Sequence, residues 1–292
     1  MDQAAQLRNI IKQKNQKKSS ARVITVTSGK GGVGKTNVSI NLAIQFKKMG
    51  KKVIILDADF GLANIEVLFG IIPQYNLADL MFNGKDIKDI ITIGPLGIEF
   101  ISGGSGIQEL TNLNKDQLFY LIQKLKEIDY LADVIIIDTG AGISNSVLEF
   151  VLASKEILLV TTPEPTSITD SYALLKAMRK IEEININDYA INVIANRASS
   201  IKEGEEIYSK LNLVVNKFLN INLNYLGYVP QDNNVQKAVM QQKPVSLLFP
   251  SSGATKSIEK ITQILLNKND KNITKHGMSQ FISNLIKIKF FK

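Results

Sequence analysis

Lysines 30 and 35 and Thr36 lie in a glycine-rich run, Ser28-Gly29-Lys30-Gly31-Gly32-Val33-Gly34-Lys35-Thr36. Its spacing is G-x-x-x-x-G-K-[ST], with Gly29, Gly34, Lys35 and Thr36 in the fixed positions. Such a loop cradles phosphates: glycines let backbone N–H groups approach the anion, a following helix N-terminus adds positive potential, Lys35 reaches the terminal phosphates and the Thr36 hydroxyl can ligate Mg²⁺. Two further acidic sites have the right setting. Asp57 and Asp59 follow the apolar run Val53-Ile54-Ile55-Leu56, and Asp138 follows Val134-Ile135-Ile136-Ile137 and precedes Thr139-Gly140-Ala141-Gly142. In this setting Asp138 holds Mg²⁺ through water and a glycine N–H, that of Gly142, senses the γ-phosphate.

These residues need elements that bring them together. Val23-Ile24-Thr25-Val26-Thr27 reads as a buried strand entering the loop, and the pattern from Val33 through Phe46 to Gly50 reads as the helix leaving it. Apolar runs at 53–56, 134–137, 157–160, 190–195 and 223–229 alternate with helical patterns, notably 168–184 and 203–219. That alternation predicts an α/β fold, a doubly wound and mostly parallel sheet flanked by helices. Ligands of such sheets sit at the carboxyl ends of strands, so the three aspartates fall beside the phosphates. Asn196-Arg197 and Pro230-Gln231-Asp232 end two later strands at the same edge, where they either bind a base or cap helices. A strand at 98–101 and a helix at 117–128 are also expected, whereas most of 61–116 carries no motif.

The chain has 292 residues, enough for one large domain with tails. It contains no cysteine, which excludes disulfides, thiolate metal sites and thiol nucleophiles, an iron–sulfur ATPase among them. No run of eighteen apolar residues and no secretory signal is present, so the cytoplasm is the expected location. The formal charge of +8 is concentrated in the tails: Arg8, Lys12, Lys14, Lys17, Lys18 and Arg22 before the first strand, and Lys287, Lys289 and Lys292 at the end. The single histidine, His276, sits in a polar linker and is given no chemical role.

Both tails carry amphipathic patterns. Residues 2–13 place Ala4, Leu7, Ile10 and Ile11 at helical spacing, too short a helix to stand alone. Residues 278–292 place Met278, Phe281, Ile282, Leu285, Ile286 and Ile288 on one face with lysines at the flank. This is expected to be an interfacial helix, although a helix packed on its own domain has the same pattern. The expected organisation is therefore 1–21 as an N-terminal helix and basic linker, 22–266 as the catalytic domain, and 267–292 as a linker and terminal helix.

The loop form Lys30-Gly31-Gly32-Val33-Gly34-Lys35-Thr36 resembles the deviant Walker A loop of the MinD/ParA ATPases. From about Arg22 to Leu266, Asp57-Ala58-Asp59, Asp138-Thr139-Gly140-Ala141-Gly142, Thr162-Pro163-Glu164-Pro165-Thr166, Asn196-Arg197 and Val229-Pro230-Gln231-Asp232 follow in that family's order. The chain is most similar to the FlhG branch (also called FleN or YlxH), which regulates flagellar number and placement. Two features carry this: Asp2-Gln3-Ala4-Ala5-Gln6-Leu7-Arg8, and Asn37 directly after Lys35-Thr36. The resemblance implies an ATP-driven homodimer in which Lys30 reaches the partner's phosphates. It also implies that Asp59 orients the attacking water, that Asp57, Asp138 and Thr36 organise Mg²⁺, and that Asn196 contacts adenine, with Arg197, Pro230 and Asp232 beside it. Asp2, Gln3, Leu7 and Arg8 would stimulate the flagellar GTPase FlhF. Phe281, Ile282, Leu285, Ile286, Lys287 and Lys289 would bind an anionic membrane surface reversibly on its cytoplasmic face. Flagellar switch-complex proteins or a transcription regulator are further partners the resemblance admits. A ParA-type DNA segregation ATPase and a MinD-type division-site regulator are the alternatives, and nucleic acid is not the expected partner.

Overall fold

Strand formation follows the runs of β-branched and leucine side chains. The computed structural model describes residues 20–59, 63–104, 115–181, 185–267 and 277–290. Its strands are β1 (Arg22–Thr27), β2 (Val53–Ala58), β3 (Ile91–Ile93), β4 (Glu99–Ile101), β5 (Val134–Thr139), β6 (Glu156–Thr161), β7 (Ala190–Ala198) and β8 (Asn224–Pro230). They form one sheet in the order β3-β4-β2-β5-β1-β6-β7-β8, parallel throughout except for β3, which pairs antiparallel with β4 at one edge. Every residue of β2, β5 and β6 is buried, as expected of a parallel sheet covered on both faces.

The helices are α1 (Lys35–Lys48), α2 (Asn64–Phe69), α3 (Leu77–Phe82), α4 (Lys115–Lys126), α5 (Asn145–Ala153), α6 (Pro165–Arg179), α7 (Ile201–Leu219), α8 (Asn233–Met240), α9 (Val245–Leu248), α10 (Gly253–Asn267) and α11 (Met278–Phe290). Successive strand residues feed two separate cores, because side chains alternate across a sheet. Ile24, Ile55, Ile136 and Leu158 pack with α1, α2 and α10. On the other face Val23, Ile54, Ile135 and Ile157 pack with helices α3 to α7 and α11.

Several boundaries differ from the sequence expectation. Helix α6 begins at Pro165 rather than 168, since proline suits the first helical turn, and ends at Arg179. Helix α7 begins at Ile201, where the Ser200 hydroxyl accepts the Glu203 N–H at 3.2 Å. The helix expected over 117–128 is α4, followed by a tight 3₁₀ turn at Glu127–Tyr130. Strand β3 has three residues and was not expected.

The terminal helix takes the second of the two placements that its pattern allows, packed on its own domain. It was expected to lie on a membrane surface as a tail outside the domain, yet Met278, Phe281, Ile282, Leu285 and Ile288 are all buried in the second core, and Ile286 is partly buried against it. The Phe281 ring lies 6.1 Å from that of Phe150 on α5, and Asn284 donates to the Ala153 carbonyl at 3.1 Å. Lys287 is exposed, while the Lys289 side chain is outside the described residues. The physical reason is that an apolar stripe is satisfied equally by a membrane and by a matching groove, and this chain supplies the groove. Each buried side chain of this size stabilises the docked helix by about 1.5–3 kcal/mol. The helix therefore leaves only for a surface that buries the same residues.

Its first turn is held by Asp129, itself 3% exposed, which accepts the N–H groups of Met278 at 3.0 Å and Ser279 at 3.4 Å, and that of Ala21 at 2.9 Å. The expected N-terminal helix with Asp2, Gln3, Leu7 and Arg8, and also His276, lie outside the described residues.

Candidate nucleotide site

The loop between β1 and α1 lies at the carboxyl edge of the sheet, beside the ends of β2 and β5. Gly34 enters α1 at φ 92° and provides no side-chain cap, and the first turn carries no acidic residue, so its N–H groups are free of side-chain competition for an anion. A Cβ on Gly34 would also fall 2.5 Å from Asn196 Nδ2. At Gly29 a Cβ would collide with the backbone of Asp170 at 2.2 Å, so the loop runs directly beneath α6. Gly31 and Gly32 line the outer turn, with Gly32 at φ 75°, and Val33 is buried as their anchor. Both Lys35 and Thr36 are buried, at 8% and 9% exposure.

Two carboxylates meet beneath this loop. Asp57 and Asp138 are register neighbours on β2 and β5, and both are fully buried. Burial, then repulsion from Asp138, holds the Asp57 carboxyl well above the ordinary carboxylate range, against N–H groups donated by Asp59 at 3.1 Å and Ile65 at 3.5 Å. Burial likewise raises Asp138, opposed by the Lys35 charge and the neighbouring Thr36 and Ser39 hydroxyls. Ser39 donates to Asp138 Oδ1 at 2.8 Å, whereas the buried Oδ2 has no hydrogen-bond partner among the described residues. A buried carboxylate oxygen left open next to a lysine and a threonine hydroxyl fits a Mg²⁺ with its waters. Among the described residues no three acidic or histidine side chains gather as a metal cage. Mg²⁺ on a nucleotide needs one or two carboxylates, with phosphates and water completing the shell. Thr36, Asp138 and Asp57 fit that requirement.

Asp59 is half-buried, receives the Asn64 amide at 3.3 Å, and lies against Gly140, where an added Cβ would be 3.6 Å from its Oδ1. It therefore faces the loop after β5. Gly142 has φ 90° and its N–H, expected to be open for a phosphate, donates instead to the Ser28 carbonyl at 3.0 Å. That bond ties the two loops to each other. Lys30 points to a different place: its ammonium bonds Glu164 Oε2 at 2.6 Å and Thr166 Oγ1 at 2.8 Å, with side chains 35% exposed for Lys30 and 52% for Glu164. The Lys30 contact holds Glu164 below its ordinary carboxyl range.

A cavity of about 800 Å³ opens beside Gly34 and Asn37. It is lined by all four residues expected at a base, Asn196, Arg197, Pro230 and Asp232. Asn196 is buried and donates its amide to the Val33 carbonyl at 2.7 Å, so it braces the phosphate loop against β7. Arg197 is exposed and sits at φ 59°, a conformation unusual for a side chain of this size. Asp232 caps two helices, one oxygen accepting the Asn234 N–H at 2.9 Å and the other the Ala254 N–H at 3.1 Å. Its carboxylate is thus structural, the second of the two readings its position allowed. The cavity also has an apolar floor from Val235, Val239, Ala254 and Ile258, contributed by α8 and α10. Sequence reasoning missed these residues, along with Ser39, because each looks like ordinary core.

The family model described as "ParA: NUBPL iron-transfer P-loop NTPase" matches residues 19–266. The antiactivator FleN of Pseudomonas aeruginosa is 43% identical over 242 residues, 83% of this chain and 85% of that one. The flagellum site-determining protein YlxH of Helicobacter pylori is 34% identical over 299 residues and covers 98% of both chains. Among solved structures, the septum site-determining protein MinD of Pyrococcus horikoshii, complexed with Mg-ADP, superposes with a TM-score of 0.69 at 23% identity, covering 87% of this chain and 100% of that one. That likeness is one of fold. The iron transfer named in the family description has no thiolate ligands to draw on here, as this chain holds no cysteine.

Proposed function

The chain belongs to the ParA/MinD family of P-loop ATPases, and from that premise we propose that it is an ATP-driven homodimerising switch that sets flagellar number and placement. The observation that carries the switch reading is the position of Lys30, whose ammonium is held at the surface by Glu164 and Thr166 while Lys35 lies buried beside Asp138. A lysine so placed can exchange Glu164 for the phosphates of a second copy, acting as an arginine finger does in trans. Lys35 and the α1 N-terminus bind the phosphates, and Asp59, against Gly140, orients the attacking water. Thr36, Asp57 and Asp138 would hold Mg²⁺, which would supply charge neutralisation at the phosphates. Gly142 gives up the Ser28 carbonyl for the terminal phosphate, which couples nucleotide state to the loop after β5.

The flagellar assignment is supported by the similarity to FleN and YlxH, the latter extending over both tails. In this reading residues 1–20 stimulate FlhF. Phe281, Ile282 and Leu285 leave their groove in the ATP dimer for the cytoplasmic face of the membrane, where two helices bind by avidity. The deciding experiment is light scattering of Asp59→Ala with ATP and Mg²⁺. A persistent dimer is expected, and a monomer rejects the switch. For the N-terminus, a peptide of residues 1–20 is expected to raise FlhF GTP turnover above that with a scrambled peptide.

A further inference from the structure

Some hydroxyls inside the helices of this protein return to their own backbone. Ser171 donates to the Ser167 carbonyl at 2.8 Å, Thr262 to that of Ile258 at 2.8 Å, and Thr169, more exposed, to that of Pro165 at 3.0 Å. Each bond reaches four residues back, the usual local solution for serine or threonine in a helix. Ser39 is one of those that bond elsewhere. It is fully buried in α1, one turn beyond Lys35 and Thr36 and therefore on their face of the helix, and its hydroxyl crosses to Asp138 Oδ1 on β5 at 2.8 Å. The other oxygen, Oδ2, is buried without a partner among the described residues.

We infer that Ser39 is a positioning residue for the Mg²⁺-nucleotide: by occupying Oδ1 it fixes the Asp138 carboxylate in the one orientation that leaves Oδ2 facing the metal's ligand shell. A carboxylate without this bond can turn part-way about its Cβ–Cγ axis, which takes the open oxygen off the metal side. The hydroxyl removes that freedom, as groups behind a metal ligand generally do. The bond also joins α1 to β5 directly under the phosphate loop, so the orientation is set by two rigid elements and not by a loop. This inference rests on the reading of the site as one for Mg²⁺-nucleotide.

The test is the affinity of the full-length protein for fluorescent N-methylanthraniloyl-ADP, measured in EDTA and across a Mg²⁺ titration. In Ser39→Ala the Mg²⁺ concentration at half of the metal-dependent gain is expected to rise about tenfold, with the EDTA affinity within about twofold of the unmodified protein. Ser39→Cys, close in size with only a weak S–H donor, is expected to shift in the same direction and gives the same readout if the alanine variant fails to fold. An unchanged Mg²⁺ midpoint in either folded variant overturns the role of Ser39 alone. So does an equal loss of affinity with and without Mg²⁺, which marks a packing defect of the loop. Unmodified protein that binds the nucleotide with no Mg²⁺ dependence overturns the metal-site reading and Ser39 with it.

Discussion

Asp129 at the amino edge of the sheet and Asp138 at the carboxyl edge are both buried, and the two are treated in opposite ways. At the amino edge, Asp129 receives three backbone N–H groups, from the start of β1 and from the first turn of α11. The neighbouring Gly277 is so close that a Cβ there would lie 2.6 Å from Asp129 Oδ2 and 2.5 Å from the Ser20 Cβ. At the carboxyl edge, Asp138 has one side-chain donor and one oxygen with no partner, and Asp57 faces it across the register. Backbone donors are fixed by the fold and hold a carboxylate in place; Asp57 also accepts two of them, from Asp59 and Ile65, so the contrast with Asp129 lies in Asp138. A buried carboxylate left incomplete lowers stability until something binds, and that deficit marks the site.

This contrast makes the two edges separable by mutation. The largest effect is expected at the phosphate loop: Lys35→Ala should lower ATP affinity by about two orders of magnitude or more, since a charge-assisted contact to phosphate is lost in a buried site. Calorimetric titration checks it, and affinity within tenfold of the unmodified protein breaks the comparison. Next is Asp129→Ala, which leaves three N–H groups at the amino edge without their acceptor and should cost about 2–4 kcal/mol in denaturant unfolding. Nucleotide affinity should stay within about twofold, and limited proteolysis near residue 277 should speed up. Phe281→Ala should cost about 3 kcal/mol, with α11 kept docked by Met278, Ile282, Leu285 and Ile288. A larger loss in a chain lacking residues 278–292 than in Phe281→Ala would show that the groove depends on the whole helix.

Smaller, and opposite in sign, is the expected effect of Asp57→Asn. A neutral isostere removes a charge disfavoured by burial and by Asp138, an effect larger than the loss of one of its two backbone N–H contacts, the longer being 3.5 Å. It should therefore raise stability by about 0.5–2 kcal/mol while weakening Mg²⁺-dependent nucleotide binding. Destabilisation there would mean that the carboxyl edge is also scaffold. The smallest stability change is expected for Lys30→Ala, within about 0.5 kcal/mol, because its ion pair with Glu164 is solvent-exposed. The same variant should lose ATP turnover, measured by phosphate release.

Much of the carboxyl edge was legible because it depends on local chemistry. The glycine spacing, the strand-terminal acids and the alternation of elements all act over short stretches, and the structure brings Lys35, Thr36, Asp57 and Asp138 together as that pattern implies. Less legible were the residues whose work is defined by a distant partner. Ser39 and Asp138 are 99 positions apart, and Asp129 and Met278 are 149 apart. A serine in an apolar helix and an aspartate before a strand carry no signal of such partners. The apolar floor of the cavity was hidden for a related reason, since Val235 and Ile258 have the spacing of ordinary amphipathic helices.

Sequence by itself determined the fold class, the phosphate loop and the acids that answer it, because backbone conformation, strand burial and anion binding follow from residue type and near neighbours. It also determined that residues 278–292 carry an amphipathic helical pattern. Only the tertiary structure decided where that apolar face goes, which lysine of the loop lies buried and which reaches outward, and which oxygen of Asp138 stays open. Those outcomes depend on what the opposite element presents at contact distance, and a one-dimensional pattern of apolar and charged residues does not contain that quantity.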